Sequence, residues 1–398
     1  MSDNSGNSGW PKVEKIDQAW QPIEGVQASR RSALAHRGTY QAAVVPQISQ
    51  LIPTVGNRAL ALADEAAVEI AKFDSTVGKT VAPFSAILLR SEAASSSQIE
   101  NLTATPMAIV RAEIGAGETP NTSLILSNQA AMQQALIAAD EFTAASILAM
   151  HRALMNRSDP ENAGRFRQVA VWVGGTILGP HLADYVGPPA EKVPELIEDL
   201  VKFCGRRDLP AMVQIAIAHA QFETIHPFND GNGRTGRAIV QVMLKALGIT
   251  NSVMAPVSAG LLADTENYFE ALDAYRAGNV EPIIEVMSEA ALGAVRNGRQ
   301  LTSDLEQIRM EWEQLHVGRS GSAAKALLEH LLAQPLITTV RAIELLGRTP
   351  VNVQRAIDSL VEVGILTQVG NSKRNRAWQA PQVMEALGRF SDRTRRKG

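Results

Sequence analysis

The sequence predicts a mainly α protein, and three observations lead there. Apolar residues recur with the helical period over most of the 398 residues, Leu60–Phe73 and Met212–Ile225 being clear examples. The strong strand signal of the first half comes late, where Val169, Val171 and Val173 alternate and Gly174-Gly175 follows. After the Gly- and Ser-containing run Val317–Ser322, the pattern restarts as three short helices and a small hairpin.

Composition narrows the class further. Apolar residues make up 45% and charged residues 20%, an ordinary globular mixture. A net charge of −3 gives no overall basic field, so any contact with nucleic acid is local. The single cysteine, Cys204, excludes an internal disulfide and sits in an apolar helical pattern as a core residue. No window reaches the roughly 18 apolar residues of a membrane span, and the N-terminus is polar, unlike a signal peptide. The expected location is the cytoplasm, with no membrane partner.

Taken in order, residues 1–9 are mostly Ser, Asn and Gly and read as a flexible lead. Leu60–Phe73 is a helix. Pro83 suits a first turn and starts another, which runs through Ala86–Arg90. Ser95-Ser96-Ser97 is poor helix interior and good cap material, so a break and a new short helix from Ser97 to Glu100 are expected. Asn121–Ala139 and Phe142–Met155 follow, with His151 read as a packed structural histidine. Val169–Val173 and Thr176–Leu178 form a hairpin turning at Gly174-Gly175. Glu191–Phe203, Met212–Ile225 and Ala238–Leu247 are helices, then Ser258–Ala277, Pro282–Val295 and Asp304–His316.

Between two of these helices lies the stretch that carries chemistry, His226-Pro227-Phe228-Asn229-Asp230-Gly231-Asn232-Gly233-Arg234-Thr235-Gly236-Arg237. A helix N-terminus presents unused N–H groups and a partial positive charge, which suits an anion. Glycines let that backbone approach phosphate oxygens, and Arg234 and Arg237 add bidentate donors. His226 at the loop entrance can take a proton. Asp230 is a hard oxygen ligand suited to Mg2+ on the same phosphates. Gly231–Gly236 also matches G-x-G-x-x-G. However, a helical pattern precedes it, and Ala238–Ala263 contains no acidic residue, so a dinucleotide fold is excluded. No Lys-Ser/Thr follows the last glycine, which excludes a P-loop.

The stretch resembles the Fic-family signature, His-Pro-Phe-x-(Asp/Glu)-Gly-Asn-(Gly/Lys)-Arg-x-x-Arg, and every fixed position matches. The lead-in His219–Ile225 is similar as well. The resemblance implies a Fic fold: a helical bundle with a β-hairpin flap over the active site, which pairs with an extended segment of a target protein. It implies transfer of AMP from ATP, with Mg2+, to a Tyr, Thr or Ser hydroxyl. In that scheme His226 is the base, Asp230 the metal ligand, and Gly231, Asn232, Gly233, Arg234, Thr235, Gly236 and Arg237 the phosphate site. Ser96-Ser97-Gln98-Ile99-Glu100-Asn101 is similar to the family's inhibitory pattern, (Ser/Thr)-x-x-x-Glu-(Gly/Asn). The resemblance thus implies that Ser96 and Glu100 restrain the enzyme, Glu100 by pairing with Arg237. Tyr268 stands where relatives place the first of two tyrosines by the adenine; Phe269 replaces the second.

The C-terminal stretch resembles a winged helix-turn-helix. Its helices are Ala323–Ala333, Thr338–Leu346 and Val351–Val363, the last capped by Thr349, and Gly370–Arg376 is a basic hairpin tip. Asn352, Gln354 and Arg355 could read bases, while Lys373, Arg374, Arg376 and the tail Arg393–Lys397 could touch phosphate. Asp358 and Glu362 oppose that. DNA, another protein and a second copy of the chain all stay open as partners. The expected divisions are a lead at 1–29, a helical region with the inhibitory helix at 30–120, the Fic core at 121–316, and the winged module at 317–398. Other activities fit the same loop: transfer of another phosphate-containing group, removal of AMP, or nucleotide sensing by a DNA-binding regulator.

Overall fold

A computed structural model describes residues 9–20, 29, 35–77, 82–315, 321–370 and 376–393. In chain order the elements are β1 (Glu14–Ala19), β2 (Thr39–Val44), α1 (Asn57–Val77), α2 (Ala82–Ile99), α3 (Pro106–Glu113), α4 (Pro120–Ala138) and α5 (Ala144–Met155). Then come β3 (Trp172–Val173), β4 (Tyr185–Val186), α6 (Val193–Cys204), α7 (Ala211–Ile225), α8 (Asn232–Ala246), α9 (Val257–Ala263), α10 (Thr265–Arg276) and α11 (Glu281–Leu315). The last are α12 (Ala323–Ala333), β5 (Leu336–Thr338), α13 (Thr339–Leu346), α14 (Pro350–Glu362), β6 (Thr367–Val369), β7 (Ala377–Gln379) and α15 (Pro381–Arg393). Among the described residues no helix is long and apolar enough to cross a membrane.

These elements form two compact units. The first joins residues 1–67, 130–248 and 265–289; the second joins 68–129, 249–264 and 290–398. The C-terminal module therefore shares a unit with α2 and α3, because its helices pack on them: α12 lies against α2 and α15 against α3.

In the first unit α7 is the buried centre, with every residue from Met212 to Ile225 inside. It packs against α6, α8 and α10. Cys204 ends α6 in the core, and burial pushes its thiol up to about 12, which suits a packing role. A ribbon of β1 and β2 pairs antiparallel in the register Glu14↔Val44 to Ala19↔Thr39. β1 is mostly exposed and lacks apolar alternation, so it left no strand signal in the sequence.

The hairpin differs from expectation. Trp172 pairs with Val186 and Val173 with Tyr185, so the chain returns at 185–186 and not at Thr176–Leu178. Gly174 and Gly175 do adopt positive φ, 75° and 69°. The chain then folds on itself through a 3-10 turn at Pro180–Leu182, which packs on β2. The ring of Trp20 meets Trp172, Tyr40 and His181 edge-on, at centroid distances of 5.6, 5.9 and 6.2 Å. That aromatic cluster, supplied by the unforeseen ribbon, holds the detour in place.

In the second unit α2 is one continuous helix, so the expected break at Ser95–Ser97 is absent. Burial explains it. Ser96 and Ser97 are fully buried; Ser97 Oγ donates to the Ala93 carbonyl at 2.8 Å, and Asn128 Nδ2 donates to the same carbonyl at 2.9 Å. On another face Glu92 accepts from the Ser258 amide and hydroxyl at 2.9 and 2.6 Å. The buried Arg90 forms a two-bond pair with Glu113 of α3, at 2.8 and 2.7 Å, and also donates to the Ala333 carbonyl that ends α12.

The C-terminal segments α12, α13 and α14 accompany a three-stranded antiparallel sheet ordered β5-β7-β6. Thr349 occupies the N-cap position of α14, but its side chain makes no cap bond. Pro350 fixes the first turn instead. The basic tip Lys373 and Arg374 and the tail after Arg393 lie outside the described residues.

Candidate active site

The site is built where α7 ends and α8 begins. His226 caps α7 in the left-handed region (φ 50°), and Gly231 precedes α8 with φ 79°. A glycine meets the second requirement without strain. The six residues between the helices are pinned from three sides. Asn232 accepts from the Phe228 amide through Oδ1 and donates to the Phe228 carbonyl through Nδ2, both at 2.9 Å. This closes the loop on itself at the first residue of α8.

The second pin is His151 on α5. The Gly164 amide donates to its Nδ1 at 3.0 Å, so the proton sits on Nε2, which donates to the Asp230 carbonyl at 3.0 Å. The ring stacks face to face on Phe228, centroids 3.6 Å apart. Burial lowers its pKa to about 4, which keeps the ring neutral.

The third pin is Arg167. Its amide donates to the Pro227 carbonyl at 3.0 Å. Its guanidinium donates to the carbonyls of His226 (2.8 Å), Val169 (3.0 Å), Pro188 (2.6 Å) and Ile225 (3.4 Å). Five planar donors match carbonyls arriving from several directions. Burial lowers its pKa to about 10. Tyr185 of β4 donates to the Thr224 carbonyl at 2.5 Å, which ties the hairpin to the last turn of α7. Arg167 was not singled out from the sequence; the signal available was the segment Gly164-Arg165-Phe166-Arg167, which ends where the hairpin begins.

His226 Nδ1 lies 3.3 Å from the Glu223 carbonyl. A carbonyl only accepts, so Nδ1 carries the proton in the neutral ring and Nε2 is the basic nitrogen. Asp230 is mostly exposed; Oδ1 accepts from the Gly231 amide at 2.6 Å, and Oδ2 lies 3.5 Å from Arg234 Nη2. The first-turn amides of α8, Asn232 to Arg234, point out of its N-terminus. Thr235 is already inside the helix: its amide donates to the Gly231 carbonyl at 3.0 Å. Gly236 lies on the face against α7, where an added Cβ would stand 2.4 Å from Glu223 Oε1 and 3.0 Å from the Phe222 ring. The missing side chain lets α8 approach α7 closely there. Arg234 and Arg237 are both buried.

The structure thus brings His226, Asp230, Gly231, Asn232, Gly233, Arg234 and Arg237 together. Tyr268 is buried, with its hydroxyl 2.8 Å from Nε2 of His219 on α7, while Phe269 is half exposed. Burial lowers the His219 pKa to about 3. Ser96 and Glu100 belong to the second unit. Ser96 is fully buried and Glu100 exposed one residue past α2.

The fold and the loop are similar to those of Fic proteins. Residues 141–244 match the Fic/DOC family. A crystal structure of a Fic family protein from Desulfovibrio desulfuricans G20 has a similar fold, with a TM-score of 0.51 at 21% identity. The similarity covers 82% of this chain and 97% of that one. Among curated proteins, the chain is similar to protein adenylyltransferase fic-1 of Caenorhabditis elegans, 29% identical over 172 residues. It is also similar to protein adenylyltransferase Fic of Drosophila erecta, 26% identical over 170 residues. Each match covers 42% of this chain and 31% of the relative, so the chain spans under a third of the length of these relatives.

Proposed function

We propose that the chain transfers AMP from ATP to a Tyr, Thr or Ser hydroxyl of a target protein. The observation that carries this reading is His226: its tautomer is set by the Glu223 carbonyl, and it stands at the entrance of a loop that ends on a helix N-terminus. His226 Nε2 takes the hydroxyl proton while the oxygen attacks the α-phosphorus. The new bond joins that oxygen to phosphorus, and the bond to the bridging oxygen breaks, releasing pyrophosphate. The first-turn amides of α8, with Arg234 and Arg237, stabilise the phosphate charge. Gly231, Asn232, Gly233, Thr235 and Gly236 complete the proposed phosphate site. The names of the relatives support the activity at the level of the family.

Asp230 suits Mg2+: it is an exposed carboxylate beside the phosphate site, and a single carboxylate with substrate phosphates is how this ion is usually held. When bound, the ion would neutralise charge on the phosphates. Tyr268 is proposed to back the adenine side through its contact with His219. The hairpin of β3 and β4 is proposed to dock the target. Ser96 and Glu100 are proposed as the inhibitory pair, Glu100 acting through Arg237. The C-terminal module is read as a winged helix-turn-helix that contacts DNA or protein.

The test is His226→Ala. Removing a general base costs about 10²–10⁴-fold, so transfer from ATP should fall by that factor while ATP affinity stays nearly unchanged. Transfer at the wild-type rate would overturn the assignment.

A further inference from the structure

The second unit contains a cavity that the transfer chemistry does not use. It spans about 570 Å³ including its open mouth, and α2, α3, α4 and α15 line it. Ile109, Ile125, Leu387 and Phe390 form the apolar wall. Ser95 and Gln98 of α2 bring polar groups to the other side. This combination of a mostly apolar concavity with a few convergent polar groups is typical of small-molecule sites.

Its electrostatics select the ligand class. Arg90 is in the wall, but both edges of its guanidinium are held by Glu113 and the Ala333 carbonyl, so its charge is already balanced. That argues against an anion. Among the described residues no Asp or Glu lines the cavity, which argues against a cation. What fits is a neutral molecule with an apolar body and one hydrogen-bonding end.

The cavity also touches the turn that presents Glu100. The Asn101 amide donates to the Gln98 carbonyl at 2.9 Å, and the Leu102 amide to the Ser97 carbonyl at 3.0 Å. Asn101 takes the left-handed conformation, φ 61°, so this is a helix-ending turn with Leu102 folded back beneath it. Gln98 and Leu102 both line the cavity. An occupant would pack on the two residues that flank Glu100.

We propose that this cavity is a binding site for a small neutral amphipathic molecule, which clamps the Gln98–Leu102 turn when it binds. The cavity belongs to the second unit; its consequence for transfer rests on the proposed role of Glu100.

The probe is N-phenyl-1-naphthylamine, a neutral aromatic amine that fluoresces in apolar surroundings, titrated into the full chain. Saturable binding at one site is expected. Ala94→Leu and Ala104→Leu each add bulk to a different wall and should each weaken binding by about tenfold or more, with far-ultraviolet circular dichroism unchanged. Either variant suffices if the other does not fold. Saturating probe should also slow amide hydrogen exchange at residues 98–104 in the wild type. No saturable binding, equal affinity in the filled variants, or protection confined to other segments would overturn the proposal.

Discussion

Acidification should loosen the loop through His151, and the size of the effect follows from its contacts. In the folded chain Nδ1 accepts from the Gly164 amide, so a proton there would set one N–H against another. The ring is also buried and stacked on Phe228. Its pKa falls from an ordinary 6.5 to about 4. Between those values the unfolded chain binds a proton that the folded chain refuses, so stability falls as pH drops through this window. At about 1.4 kcal/mol for each pH unit, the loss approaches about 3 kcal/mol between roughly pH 7 and pH 4. His219, also lowered by burial, adds a loss of the same sign, so the test is a difference. Urea unfolding should be followed across this range for wild type and His151→Gln. The variant keeps a neutral donor for the Asp230 carbonyl but does not titrate. It should be less stable near neutrality and lose less on acidification. Parallel pH profiles for the two proteins would refute the reasoning.

Three further outcomes are expected. Arg167→Lys cannot serve four carbonyls with one ammonium, so it should cost about 2–4 kcal/mol of stability; kcat should fall about a hundredfold with KM for ATP little changed, as stopped-time transfer assays would register. Gly236→Ala should destabilise by about 1–2 kcal/mol, since overpacking at the α7 contact exceeds the gain in helix propensity; a shift in the urea midpoint reads this directly. On the proposed restraint, in which the Glu100 carboxylate competes with a γ-phosphate for one planar donor, Glu100→Gly should raise self-modification strongly and Arg237→Ala should abolish it in both backgrounds; rates for the four proteins at saturating ATP and magnesium decide it.

The loop from His226 to Arg237 was legible because its chemistry is local: glycines, a histidine and an aspartate at fixed spacing between two apolar helices. What sets its shape was not. His151 and Arg167 act from 79 and 59 residues away along the chain, through carbonyls that any residue could supply. α2 runs through three serines because buried partners answer Ser97, which local propensity cannot register. β1 is an exposed strand without alternation, and its ribbon in turn displaced the expected return of the hairpin. The interleaved units depend on α12 and α15 packing against helices more than two hundred residues earlier, a relation that composition along the chain does not carry.

The central claim is that the α-phosphorus of ATP ends on a protein hydroxyl. Glu100→Gly protein should be incubated with magnesium and ATP labelled either at the α- or at the γ-phosphorus, with Glu100→Gly/His226→Ala as the control. The account predicts α-label on the protein, γ-label in pyrophosphate, and neither on the protein of the control. Label from the γ-position on the protein, or equal α-label in the control, would contradict it.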